Sequence, residues 1–376
     1  MIPIAKPYLT REDAQAAYDT ILTGWITQGP KVQEFEENFA AYTGAKYAVA
    51  VSNCTTALHL SLIVSGIKPG DEVICPSMSY IATANAIKYV GATPVFAEVH
   101  PANYNLDPVD VEKRITAKTK AILLVHQIGM PADIDNFSSL SKKYGLKLIE
   151  DAACAAGSAY KGKKIGSHSE LVCFSFHPRK VISTGDGGMI TTDQEDHFNR
   201  LKLLRQHGMS VNDRVRHEAK QIVFEDHFEV GYNYRMTDIQ ASVGIKQLEK
   251  LEWLINERRK IAAEYHKAFK DLEFVQLPTE NDGYFSNYQS YSIYLKKSCP
   301  VGRNDLMQIL LDQGIASRRG IMTAHREMAY KKNSNHVNLP ISEDLQDHSI
   351  LLPLYVPMED KDLQYVIATF LKIVNP

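Results

Sequence analysis

Between Tyr47 and Thr192 the chain alternates short β-branched apolar runs with amphipathic stretches, and the turn residues fall between them. That rhythm predicts an α/β fold with a mainly parallel central sheet covered by helices. The strand candidates are YAVAVS, DEVICPS, TPVFAEV, AILLVHQ, KLIEDA and LVCFSFH, with helical stretches beginning near Thr55, Tyr80, Pro108, Asp133 and Asp193. From Thr237 to Lys270, Ile239, Val243, Leu248, Leu251 and Leu254 recur at helical spacing without a proline, which predicts one or two long helices. After the turn-rich LPTENDGYFSN a smaller unit follows: the strand QSYSIYL, a helix over 304–313, the turn GIASRRG and a last helix from Asp360. The expected division is a large domain over 1–252 and a small C-terminal α+β domain over 253–376. No internal repeat interrupts the pattern.

Composition narrows the classes of function. With 376 residues, 44% apolar and 23% charged, the chain is long enough for roughly two domains of about 100–200 residues each and for a sizeable core. Its 42 basic and 44 acidic residues leave a net charge of −2, so no long-range field points to nucleic acid or an anionic membrane, and any anion must be held locally. The five cysteines are odd in number and contain no C-x-x-C pair, the usage of a reduced cytoplasmic protein, and no metal site is expected. The opening MIPIAKPYLTREDAQ turns charged too soon for a signal peptide, and no apolar run reaches the roughly 18 residues of a membrane span.

The chemistry-bearing residues follow the strands. In open parallel sheets ligands bind just outside the carboxyl edge. After YAVAVS come Asn53, Cys54, Thr55 and Thr56 at a helix start, where hydroxyls and unpaired N–H groups either cap the helix or hold a phosphate. After DEVICPS comes Tyr80, either a core ring or a platform for a flat heterocycle. Asp151 ends KLIED; a carboxylate there needs a partner, either a salt bridge or a protonated pyridine nitrogen. Ser175 and Lys180 follow LVCF, with Gly185, Gly187 and Gly188 permitting a close reversal that aims the lysine inward. A lysine whose amine pKa is lowered by burial and neighbouring positive charge is a nucleophile toward an aldehyde, so the set is that of a pyridoxal phosphate (PLP) enzyme.

These residues lie in longer motifs: TGWITQGP, SNCTTALHLSL, PSMSYIATANAI, GATPVF, EDAACAAGS, SFHPRKVISTGDGGM, GYNYRMTDIQA and LPLYVPM. Together they resemble the sugar aminotransferases of the DegT/DnrJ/EryC1/StrS group, which have the fold type I architecture of aspartate aminotransferase. The resemblance implies that Lys180 forms the internal aldimine with PLP and that Asp151 pairs with the pyridine nitrogen. It also implies that Tyr80 stacks on the ring and that Thr55, Thr56 and Ser175 surround the phosphate. Asn233 would reach the phosphate of the neighbouring subunit, so the expected assembly is a homodimer with shared sites; read without the resemblance, Asn233 is a turn-former in a loop. Where the family commonly has Gln, His or Glu near the cofactor's 3-oxygen, this chain has Cys154, whose thiol is a poor donor. The charge-rich segment 208–230 is longer than in many members and is expected to meet substrate or the dimer partner.

The resemblance further implies two half-reactions. L-Glutamate gives up its amino group, leaving pyridoxamine phosphate, and that amine passes to the ketone of a nucleotide-linked 3-keto or 4-keto sugar, as in cell-surface polysaccharide biosynthesis. Lys180 moves the proton in both directions. Arg318, Arg319 and His325 are the candidates for the donor carboxylate and the sugar diphosphate, or else a solvated basic turn. Trp25, Thr27 and Gln28 are the candidates for the sugar pocket; His177 and Arg179 flank the lysine. Three other readings compete. Sugar dehydratases of the group have histidine where Lys180 stands. A non-catalytic regulator would not need Lys180, Asp151 and Tyr80 intact. An oxidoreductase built on GDGG lacks the G-x-G-x-x-G opening.

Overall fold

The computed structural model describes residues 1–211, 220–222, 224–332 and 337–375. Its central sheet has seven strands: β1 (Tyr47–Val51), β2 (Glu72–Pro76), β3 (Thr93–Ala97), β4 (Thr119–Val125), β5 (Lys147–Asp151), β8 (Leu171–Ser175) and β9 (Gly188–Thr192), in the order β1-β9-β8-β5-β4-β2-β3. Two short strands, β6 (Ala159–Tyr160) and β7 (Lys163–Lys164), lie between β5 and β8 in sequence. Each strand predicted from the apolar runs is present to within two residues at either end. The pairings β2–β3, β2–β4, β4–β5 and β5–β8 are parallel. β9 departs from the expected pattern, running antiparallel to both β8 and β1. The connection from Phe176 to Gly187 carries no helix to serve as a crossover, so the chain can only return alongside the strand it left.

Helices α1 (Arg11–Leu22), α2 (Pro30–Thr43), α3 (Cys54–Val64), α4 (Ala82–Tyr89), α5 (Pro108–Lys113), α6 (Ile134–Tyr144) and α7 (Glu195–Leu204) accompany this sheet. The long apolar period after Thr237 resolves into α8 (Asp238–Glu249) and α9 (Leu251–Phe269). Local chemistry sets the starts. Asn53 caps α3, accepting from the Thr56 N–H at 3.0 Å, and Thr237 with Gln240 makes a capping box for α8. One face of the sheet packs Phe174 and Phe176 on Phe35 and Phe39 of α2, with ring centroids 4.9–5.5 Å apart for Phe39 with Phe174 and Phe176.

The second unit has a four-stranded sheet in the order β10-β12-β14-β13, made of β10 (Val275–Gln276), β12 (Tyr291–Leu295), β13 (Arg318–Arg319) and β14 (Ser349–Leu352), while β11 (Tyr284–Phe285) pairs with β6. Its helices include α10 (Arg303–Asp312) and a last helix, Asp360–Val374. Residue 253 falls near the start of α9, and the helix runs on toward this sheet. The first residues of the chain also join it: Ile2 bridges Ile315, and the Leu354 N–H donates to Ile4 at 3.2 Å.

Candidate active site

At the carboxyl edge of β1, β2, β4, β5 and β8 lies a cavity of about 650 Å³. Its wall includes Thr55, Thr56, Tyr80, Asp151, Cys154, Ser175, Lys180 and Arg318. The topology brings them together because each stands just past the end of a strand or on the C-terminal sheet facing those ends.

Asp151 is 5% exposed. Its Oδ2 accepts from the Thr83 hydroxyl at 2.8 Å and its Oδ1 from the Ala153 N–H at 3.1 Å. It forms no salt bridge with a described residue. Burial pushes its pKa up, against the pull of Thr83, Ala153 and the more distant Lys180 and His126. A buried carboxyl with two hydrogen bonds and no cation in contact suits a protonated ring nitrogen, whose positive charge would favour the ionised form.

Lys180 sits in a turn closed by its own N–H on the His177 carbonyl at 2.8 Å. Its ammonium donates to Cys154 Sγ at 3.2 Å. Here the sequence expectation is corrected. Burial does act to lower the amine's pKa, but Cys154, Cys54 and Asp151 outweigh it, and the net direction is upward. The flanking charges are acidic rather than basic, so the neutral nucleophile expected from the sequence depends on those acidic groups being engaged elsewhere. Cys154 is thus a direct contact of the lysine, and its own carbonyl is held by Asn287 Nδ2 at 2.9 Å.

The phosphate cup is refined too. The helix cap is Asn53, and the Thr56 hydroxyl donates back to the Asn53 carbonyl at 2.7 Å. Among the described residues the Thr55 hydroxyl makes no hydrogen bond, which leaves it and the first N–H groups of α3 for an anion. Gly188 allows this closeness: a Cβ there would stand 2.5 Å from the Asn53 carbonyl carbon and 2.8 Å from the Cys54 nitrogen. Ser175, 7% exposed, stands opposite Gly188 in the β8–β9 register. Tyr80 is 66% exposed on the cavity rim, a ring left uncovered by its own chain. Buried carboxylate, amine, exposed ring and anion cup fit PLP.

Sequence reasoning missed several residues of the wall. Thr83 holds Asp151, and Gln127, Gln289 and Ser290 also line the cavity; His177 and Arg179, named from the sequence only as flanking the lysine, line it too. Arg258, 6% exposed on α9, donates to the carbonyls of Tyr288, Gln289 and Leu354 and so fixes the Gln289 wall; burial pushes its guanidinium down to about 9. Only the N-cap pattern at Asn53 and the i+3 step from Tyr80 to Thr83 were visible as local signals.

Other expected residues lie elsewhere. Arg319 pairs with Glu327 at 3.5 Å, outside the cavity wall. His325 is 5% exposed and does not line the cavity, because both its ring nitrogens are engaged elsewhere, by the buried Ser77 and by Glu343. Trp25, Thr27 and Gln28 are drawn to the start of α8 instead. The Asp238 N–H donates to the Thr27 carbonyl at 3.0 Å, and the Asp238 carboxylate caps α2 through the N–H groups of Gly29, Lys31 and Val32. Gln28 Nε2 reaches Gln206, which bridges Asn233, itself exposed and away from its own chain's cavity. Of the segment 208–230, residues 212–219 and 223 lie outside the described residues. Among those described, no three His, Cys, Asp or Glu side chains could hold a metal ion, and no helix is long and apolar enough to cross a membrane.

Residues 7–371 match the DegT/DnrJ/EryC1/StrS aminotransferase family. The chain is 36% identical over its whole length to the spore coat polysaccharide biosynthesis protein SpsC of Bacillus subtilis, covering 97% of that protein. Its fold is similar to Helicobacter pylori PseC, an aminotransferase involved in the biosynthesis of pseudoaminic acid, with a TM-score of 0.92 at 28% identity and 99% of each chain covered. S. venezuelae DesV, solved in complex with a ketimine intermediate, superposes with a TM-score of 0.91 at 32% identity, covering 100% of this chain and 99% of that one. The chain belongs to the DegT/DnrJ/EryC1/StrS aminotransferase family, the PLP-dependent sugar aminotransferases.

Proposed function

We propose that the protein transfers the amino group of L-glutamate to the ketone of a nucleotide-linked keto-sugar, working in the cytoplasm as a homodimer. The observation that carries this reading is the convergence of Lys180, Asp151, Tyr80, Thr55 and Ser175 on one cavity. Bound there, PLP supplies an electron sink for the carbon that loses its proton. Asp151 holds the ring nitrogen, Tyr80 covers the ring, and Thr55, Ser175 and the α3 N–H groups hold the phosphate. Thr56 supports them through the cap. The Lys180 amine binds the cofactor in the resting enzyme and, once released, takes and returns the substrate proton, with Cys154 beside it as its hydrogen-bond partner. Arg318 on the cavity wall offers the guanidinium for the donor carboxylate or the sugar diphosphate.

Two observations support the dimer. Trp25, Thr27, Gln28 and Asn233 form one group around Gln206 and Asp238, away from their own cavity, so a second subunit is what would bring them to a substrate. Ile222, Phe224, Phe228 and Val230 are 71–88% exposed, more apolar surface than a short segment leaves to water without a partner. All five cysteines are free, as a reducing compartment requires. The test is to incubate the purified protein with PLP, glutamate and a panel of nucleotide-linked 3-keto and 4-keto sugars, scoring amine products by mass. Borohydride trapping and peptide mapping should place the cofactor on Lys180. Label on another lysine, or no amine from any sugar in the panel, would overturn the assignment.

A further inference from the structure

His325 came from the sequence as a substrate contact, and the structure buries it instead. Its environment assigns it other work. Nδ1 lies 2.5 Å from the Ser77 hydroxyl and Nε2 lies 3.0 Å from Glu343 Oε1. A carboxylate can only accept, so Nε2 carries the proton and, in the neutral ring, Nδ1 accepts from Ser77. Ser77, fully buried, follows β2 and opens the loop Ser77–Tyr80 that presents the Tyr80 ring to the cavity. The Ser77 carbonyl takes the N–H of Ala324 at 2.7 Å and of Ser79 at 3.0 Å. The Ser79 hydroxyl lies 2.8 Å from that of Thr83, which donates to Asp151 at 2.8 Å. A continuous chain of hydrogen bonds therefore runs from Glu343 through His325, Ser77, Ser79 and Thr83 to the Asp151 carboxylate.

The far end of the chain is anchored. Glu343 stands on the helix Pro340–His348, whose first turn is fixed to the central sheet by Glu98, which accepts from the N–H groups of Ile341 and Ser342 at 2.8 and 2.9 Å. The C-terminal unit meets the Ser77–Tyr80 loop through backbone, with Met78 bridging Thr323 and the His325 N–H donating to the Ser77 hydroxyl at 3.2 Å, and through the His325 ring, which gives that hydroxyl its acceptor. We propose that His325 is a positioning residue: by orienting Ser77 it holds Tyr80 and, through Ser79 and Thr83, Asp151 at the angles the cofactor ring requires. The inference rests on the cofactor reading above and concerns residues that never touch the substrate.

Visible circular dichroism of bound PLP reports ring orientation, and PLP titration reports affinity. His325→Phe and Ser77→Ala should each weaken PLP binding by about tenfold, the worth of one buried hydrogen bond, and reduce the visible dichroism. Ser77→Ala also removes the acceptor of the His325 backbone N–H at 3.2 Å, so the double variant should be no worse than Ser77→Ala alone. His325→Asn, whose side-chain oxygen replaces the Nδ1 acceptor, should recover most of the loss. Thr323→Val is the structural control. It keeps the backbone bridge from Thr323 to Met78 and deletes only the buried side-chain bond to Gln346 at 2.6 Å, which is not a link of the chain, so it should lower Tm while leaving affinity and dichroism unchanged. Should His325→Phe fail to fold, Ser77→Ala carries the same prediction. Wild-type affinity and dichroism in Ser77→Ala, or an equal change in Thr323→Val, overturns the inference alone. Failure of the unmodified protein to bind PLP overturns it together with the functional reading.

Discussion

Thr83→Val isolates the link that meets the Asp151 carboxylate. Valine keeps the branched shape inside α4 and deletes only the hydroxyl that donates to Asp151 Oδ2. A hydrogen bond to a charged acceptor contributes about 1.5–3 kcal/mol, so cofactor affinity should fall by about 10–100-fold. The loss should depend on pH, and its sign follows from Asp151. Burial raises that carboxyl's pKa and Thr83 is the first influence opposing it, so the variant's Asp151 stands higher still. Pairing with a protonated ring nitrogen needs the ionised carboxylate, hence the penalty should grow as pH falls. In the cofactor-free protein the same raised acid works the other way. Its contribution to stability is complete below the unfolded value near 3.8 and is lost as pH rises through the folded value. Spectrophotometric PLP titration of both proteins across mildly acidic to mildly basic pH checks the argument. Parallel affinity curves, with no widening toward acid, would refute it.

Cys154→Ala should lower the pKa of the Lys180 amine, because the thiol is the leading influence raising it; the pH midpoint for PLP capture should move down, and an unmoved midpoint would deny the contact any electrostatic role. Gly188→Ala places a methyl against the Asn53 backbone, so Tm should drop in line with about 1–3 kcal/mol of overpacking and the phosphate end of the site should weaken, both readable by thermal melts with and without PLP. Arg318→Ala should raise KM for donor or sugar by about tenfold or more while Arg319→Ala leaves both within twofold, on the order expected for losing a charged hydrogen bond against an exposed ion pair. Equal effects in steady-state kinetics would mean that the Glu327 pairing does not separate the two arginines.

What could be read in the chain was whatever depends on period and on neighbours in sequence. The apolar runs located the strands because a parallel strand is buried on both faces and must be apolar throughout, and Thr55, Tyr80, Asp151, Ser175 and Lys180 followed as the residues just beyond each run. The direction of β9 was not legible in GMITT, whose pattern suits either orientation, although the helix-free connection before it was on view. Gln127 and Gln289 escaped because nothing local marks them, and Thr83 because its i+3 step from Tyr80 does not reveal its partner. Each acquires its role from a partner far off in sequence: Asp151 for Thr83, the Met78 carbonyl for Gln127 and the Arg179 carbonyl for Gln289.

The residues that failed to gather are informative in a different way. His325 and Arg319 were expected near the substrate, and their own chain satisfies them, one with the buried Ser77 and the partly exposed Glu343 and one with Glu327. Trp25, Thr27, Gln28 and Asn233 lie on a separate surface with Gln206, and that surface adjoins Ile239 and Val243, which stay half-exposed on α8 although their spacing marks them as apolar positions of a buried face. A helix with an apolar stripe left partly open beside polar residues that stand outside the large cavity of their own chain is what one half of a shared site looks like. The two kinds of failure separate in one experiment. Mixing subunits that carry Lys180→Ala with subunits that carry Asn233→Ala should restore activity in up to about a quarter of the sites of a randomly assorted dimer, because one hybrid site keeps both residues. No recovery on mixing, with hybrids demonstrated by mass, would place Asn233 outside the partner's site.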